Sequence, residues 1–333
     1  MQAAYFQSKI PHCARNEAAQ ELFQQPMRFI LLFLSTILLS GSVSGILAVP
    51  EQSPPTQLEC ASVPSKILGR PVDYCIDLPA DYHSSAKRYP TLYFLHGLFE
   101  NYHAWDEHGG KEILDRLLEA GKIGPFLLVL PDADNTFYVN SYDGHERYED
   151  FFIQELVPFI DHTYRTVPTP QMRGISGTSM GGYGALHLAM KYPNVFGSVS
   201  AQGAALLPKF PHPIPTEGRW GFYARILERS FGNPLNEAYW DTNNPLTMAE
   251  HPERFRNLKI YFDCGTEDRY GFENGAELLD KILSQHDFPH TFVLRPGNHG
   301  WDYLQKYMQY ALIFEWRVFQ ASEQSSSGTH PQP

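Results

Sequence analysis

Gly177-Thr178-Ser179-Met180-Gly181, followed at once by Gly182, is the stretch on which the reading of this chain turns. It stands between an apolar run, Met172 to Ile175, and an amphipathic stretch, Gly181 to Lys191. A G-x-S-x-G therefore sits in a strand-turn-helix context. Glycines two before and two after the serine let the backbone turn sharply with little side-chain crowding. The hydroxyl of Ser179 then stands free at the carboxyl end of a strand, beside a helix N-terminus.

Working outward, the chain alternates short apolar runs with helical stretches. The runs are Thr91 to Leu95, Pro125 to Leu130, Met172 to Ile175, Val195 to Ala201, Leu258 to Cys264 and His290 to Leu294. The helical stretches are Lys111 to Ala120, Tyr148 to Tyr164, Gly181 to Lys191, Ala276 to Gln285 and Trp301 to Phe319. Near-continuous apolar strands separated by helices predict an α/β fold, a mostly parallel sheet covered on both faces. Ahead of them, Leu58 to Leu68 and Pro71 to Leu78 read as an antiparallel hairpin. The alternation breaks over about 204–256, a Pro-rich insertion that holds Trp220, Phe222, Tyr223, Tyr239 and Trp240. It reads either as a lid or substrate wall, or as a packed excursion whose aromatics fill core.

A serine hydroxyl is a weak nucleophile until a base takes its proton, and that base needs an anionic partner to fix its tautomer. With an α/β-hydrolase arrangement these follow the serine in the order acid, histidine, each in a loop after a later strand. His299, in the Gly-flanked loop Pro296 to Trp301, is the base; His286 and His290 precede their strand and sit at the wrong end. Asp268, after the strand ending at Cys264, is the acid. Glu267 points the opposite way along the loop, and Asp263 lies inside the strand, where it can support the site but reaches the histidine less easily. Charge developing on a substrate oxygen needs donors, and two backbone N–H groups supply them: that of Met180 and that of Leu98 in the loop His96 to Asn101. His96 is read as structural. The acidic loop Pro131 to Asn135 lacks a histidine or cysteine spaced to complete a metal site, so no metal is expected and turn-capping and pocket-lining roles are preferred.

The 333 residues are 43% hydrophobic, enough for one sizeable core. With 26 basic against 37 acidic residues, the net charge of -11 repels phosphate backbones, so nucleic acid is not an expected partner. Met27-Arg28, the apolar run Phe29 to Leu39 and the small residues Ser40 to Ser44 form a signal-peptide pattern. Residues 1–44 are thus read as a leader, with Met27 a candidate start, cleavage after Ser44 or Ala48, and a secreted or periplasmic product. A membrane enters only if the leader stays uncut. Residues 45–57 read as a linker, 58–320 as the domain and 321–333 as a disordered, Ser-rich tail. Of the four cysteines, Cys13 leaves with the leader and Cys264 is an inert thiol buried in a strand. An oxidising compartment permits a Cys60–Cys75 disulfide, although a turn at Gly69-Arg70 sets these two off direct opposition.

The pattern resembles the esterase family that contains the esterase D type S-formylglutathione hydrolases, the feruloyl esterase modules and the mycolyltransferases. The pieces that carry it are Leu95 to Leu98, Pro131-Asp132, Tyr138 through Tyr148 to Asp150, Glu155-Leu156 with Asp161 and Tyr164-Arg165, Ser176 to Gly184, Tyr192-Pro193 with Phe196, Cys264 to Asp268 and Gly297 to Trp301. They span roughly Ser62 to Phe319. The resemblance implies that the family's serine, acid and histidine fall on Ser179, Asp268 and His299, its oxyanion donors on Leu98 and Met180, and that no cofactor is used. It implies hydrolysis of small acyl, feruloyl or acetyl esters through an acyl-enzyme, the ester being free or linked to polysaccharide. A thioesterase of the S-formylglutathione hydrolase kind, and an acyltransferase on the same residues, are the alternatives.

Overall fold

The computed structural model describes residues 55–208, 210 and 213–327. The leader, most of the linker and the last six residues lie outside the described residues. Eight strands form one sheet in the order β1-β2-β4-β3-β5-β6-β7-β8. They are β1 (Gln57–Pro64), β2 (Pro71–Leu78), β3 (Thr91–Leu95), β4 (Leu127–Pro131), β5 (Arg173–Thr178), β6 (Ser198–Gln202), β7 (Lys259–Gly265) and β8 (His290–Arg295). β2 runs antiparallel to both β1 and β4, whereas β4, β3 and β5 to β8 are mutually parallel.

Alternation along the central strands sends side chains to opposite faces. Tyr93, Leu95, Leu127 and Val129 enter one hydrophobic core, and Leu92, Phe94, Leu128 and Leu130 enter the other. Helices bury both faces. The helix Met180–Lys191 is buried along nearly its whole length; most of its residues are small or apolar, and the buried Tyr183 and His187 are satisfied by Asn243 O and Glu149. On the opposite face the final helix packs Leu304, Met308 and Leu312 beneath the sheet.

Two expectations change at the ends. The first strand stops at Pro64 rather than Leu68 because a carboxylate captures the loop that follows: Glu155 accepts from the Ser65 hydroxyl and from the N–H groups of Lys66 and Ile67. Pro64 itself has no N–H to carry the ladder on. The earlier stop moves the register, so Cys60 faces Cys75 directly and the two are disulfide-bonded. The tail expected from 321 is also corrected, since the helix Trp301–Ser327 continues through 321–327. A packed helix propagates at little cost per residue, and Ser322 and Ser325 donate back to the carbonyls of Val318 and Ala321 instead of competing with the helix.

Within the expected insertion, the segment between β6 and β7 forms the helices Gly218–Phe231, Glu237–Asn243 and Pro245–Met248. Each reading of it holds for part of the segment. Trp240 is buried against Phe210, whereas Phe222, Tyr223, Ile226 and Leu227 line a cavity described below.

Candidate active site

Ser179 caps the turn between β5 and the helix Met180–Lys191 with φ 56° and ψ -118°. A non-glycine residue at positive φ costs of the order of 1–3 kcal/mol and persists only where the surroundings enforce it. They do so here. The Ser179 N–H donates to Gln202 O at 3.0 Å, and its carbonyl accepts from Ala205 N–H at 2.9 Å. The flanking glycines serve close approach more than free rotation. A Cβ on Gly177 would stand 2.3 Å from Gly181 O, and one on Gly181 would stand 2.0 Å from Leu95 O.

Three residues distant in sequence meet beyond the carboxyl ends of the strands. His299 Nε2 lies 2.9 Å from Ser179 Oγ, and His299 Nδ1 lies 2.7 Å from Asp268 Oδ2. Because a carboxylate only accepts, Nδ1 carries the hydrogen and Nε2 offers its lone pair to the serine hydroxyl. Asp268 is almost wholly buried and also accepts from Tyr270 N–H at 2.9 Å and from the Cys264 thiol at 3.6 Å. Burial alone would raise its pKa, but the His299 hydrogen bond and charge, with the Tyr270 N–H and the Cys264 thiol, outweigh burial and hold it below the usual carboxylate value. The rings of Tyr270 and Phe272 meet the imidazole edge-on, at 4.8 and 5.4 Å between centroids, and fix its plane. Such a set can remove the hydroxyl proton and return it to a leaving group.

Leu98 and Met180 line the same cavity as Ser179. Met180 is the first residue of its helix, so its N–H has no acceptor within that helix. Among the described residues the Leu98 N–H has no hydrogen-bond partner either. The turn bearing Leu98 is pinned by its neighbours. His96 is buried; Ala133 N–H donates to its Nε2 at 3.0 Å, which leaves Nδ1 to donate to Gly97 O at 2.8 Å. Asn135 Oδ1 accepts from Phe99 N–H at 2.8 Å.

Other sequence candidates lie elsewhere. His290 pairs with Asp280 at the far end of β8. Asp263 is buried but bonds the hydroxyls of Tyr261 and Tyr303, not His299, and burial pushes its carboxyl up to about 6 against those hydrogen bonds. Glu267 is exposed. Burial drives the Cys264 thiol pKa upward, and nearby Asp268 adds to it. The loop Pro131 to Asn135 caps its own turn, with Asp132 Oδ1 accepting from Asp134 N–H at 3.2 Å. It does not line the cavity, so the expected pocket-lining role passes to Phe137, two residues on.

The cavity above Ser179 is about 290 Å³ and mostly apolar, with Phe137, Tyr223, Ile226, Leu227 and Phe272 as its principal walls. Tyr223, Ile226 and Leu227 lie on one face of the insertion helix, at helical spacing. Sequence alone left their orientation open.

A family model described as "Putative esterase" matches residues 65–314, three quarters of the chain. The chain belongs to this esterase family. An esterase of Mycobacterium tuberculosis is 29% identical over 246 residues, which cover 67% of this chain and 51% of that protein. The chain thus spans about half the length of that curated relative. An acetyl esterase of Caldicellulosiruptor saccharolyticus is 31% identical over 236 residues, covering 68% of this chain and 82% of the relative. Among solved structures, a ferulic acid esterase superimposes with a TM-score of 0.68 at 25% identity, over 80% of this chain and 99% of its own.

Proposed function

We propose that this family member is an exported serine carboxylic ester hydrolase working through an acyl-enzyme on Ser179. The observation that carries this is the continuous relay from Asp268 through His299 to Ser179, opening into an apolar cavity. His299 takes the hydroxyl proton as Ser179 Oγ attacks the ester carbonyl, and the N–H groups of Leu98 and Met180 receive the charge that develops on its oxygen. His299 then gives the proton to the departing alcohol. Water activated by the same imidazole releases the acid and restores the serine.

The apolar walls favour an acyl group larger than acetyl, since burying each methylene contributes about 0.8 kcal/mol. Feruloyl and butyryl esters, free or carried on polysaccharide, are the proposed substrates. The names of the acetyl and ferulic acid esterase relatives support the ester class. Export rests on the signal-peptide pattern of residues 27–44, and the Cys60–Cys75 disulfide suits an oxidising compartment. A panel of acetyl, butyryl and feruloyl p-nitrophenyl esters and an acyl thioester tests the activity. Turnover no faster than that of Ser179→Ala would refute it, and products assayed with a sugar acceptor present separate hydrolysis from acyl transfer. The N-terminal residue of exported protein tests the leader.

A further inference from the structure

We propose that Glu100 is a positioning residue that fastens the oxyanion turn to the histidine loop, so that the two halves of the site hold one geometry. The proposal rests on the roles given above to Ser179, His299 and the Leu98 N–H. Glu100 N–H donates to Gly97 O at 3.3 Å, which makes 97–100 a turn. The side chain closes the same turn, because Glu100 Oε2 accepts from Gly97 N–H at 2.8 Å. With the Tyr138 hydroxyl on the His96 carbonyl, the peptide group before Gly97 is tied at both polar ends; the one after it is tied at its carbonyl by His96 and Glu100, which holds its free Leu98 N–H in place. The second carboxylate oxygen reaches the other half of the site: Glu100 Oε1 accepts from Trp301 Nε1–H at 2.6 Å. Trp301 opens the final helix two residues after His299, and its indole is stacked on His108 at 4.6 Å.

The chemistry explains why this position holds a carboxylate. Two N–H donors converge on one side chain, and only an acceptor with two free oxygens satisfies both; a glutamine would turn its NH2 against one of them. As a charge, Glu100 is in the wrong place to help. It lines the cavity in which negative charge develops on the substrate, and like charges repel. Its contribution must therefore come from placement of the donors. Glu100 has no hydrogen bond to Ser179 or His299 among the described residues, which separates a positioning role from a direct chemical one.

The test uses the full chain with Glu100→Gln, Trp301→Phe and the double variant. Losing one oxyanion donor outright slows turnover by about 10² to 10³, so a displaced turn should lower kcat by about 30- to 100-fold in E100Q. KM should stay within about threefold, and affinity for a boronic acid that forms the tetrahedral adduct should fall in step with kcat/KM. Trp301→Phe keeps a ring but removes the N–H; it should show part of the same loss, and the double variant should fall short of the product of the two. A merely structural role would lower thermal stability and leave kcat per folded site and the boronate constant unchanged. That outcome overturns the proposal, as does E100Q turnover within threefold of wild type. If E100Q does not fold, an unaltered kcat in Trp301→Phe overturns it. Full turnover in Ser179→Ala would instead sink the underlying reading of the site, whereas an inactive Ser179→Ala beside a fully active E100Q sinks only the role given to Glu100.

Discussion

Replacing Asp268 by asparagine should disable the imidazole without moving it. The carboxylate accepts from His299 Nδ1 at 2.7 Å, from Tyr270 N–H and from the Cys264 thiol, and it donates to none of them. An asparagine that keeps its oxygen on Tyr270 N–H turns its NH2 toward Nδ1. The hydrogen of the imidazole then moves to Nε2, and the nitrogen 2.9 Å from Ser179 Oγ can no longer take a proton. The imidazolium formed in the transition state also loses its counter-charge. Two unit charges about 4 Å apart at an effective dielectric near 20 interact by about 4 kcal/mol, which corresponds to nearly 10³ in rate. Adding the tautomer penalty, Asp268→Asn should lower kcat/KM by roughly 10³ to 10⁴, with KM little changed. Steady-state hydrolysis of a p-nitrophenyl ester, corrected for the fraction of folded protein, measures this directly. A loss smaller than about tenfold in a folded variant would mean that Asp268 does not orient His299.

Glu315 is fully buried beneath the sheet against Ser198, and burial raises its carboxyl to about 8 from the ordinary 4.5, the Ser198 bond opposing. A raised acid contributes stability that is complete below the unfolded value and lost as pH climbs through 8, so wild type should weaken between pH 5 and 8 by at most about 5 kcal/mol. Glu315→Gln should flatten that fall in urea denaturation; parallel profiles would contradict it. Replacing both Cys60 and Cys75 by serine frees a loop with a sequence separation of 15 and should cost about 3 kcal/mol of stability while leaving kcat intact. Ile226→Trp should fill part of the cavity and raise KM about tenfold for butyryl and feruloyl esters but not for acetyl esters. An equal change across the series would show that Ile226 does not face the acyl group.

The residues of the central site are legible in sequence because each sits where a strand ends and a loop begins. Ser179 is marked by glycines that only a tight turn needs, and His299 and Asp268 by their places after β8 and β7. The alternation of apolar runs likewise suffices for the parallel sheet, since burial on both faces leaves little room for polar residues in the strands. What lies between those elements was decided by contacts between segments remote in the chain. Glu155 ends β1 from about ninety residues away and thereby sets Cys60 opposite Cys75. Glu100 looks like any loop carboxylate until Trp301, some two hundred positions later, is folded against it. The insertion helix yields its cavity face only when the final helix and the loop after β7 supply the opposite walls. Local sequence specifies periodicity and turns because these depend on neighbouring residues, whereas the partner of a polar side chain depends on which distant segment the packed core brings within about 3 Å of it.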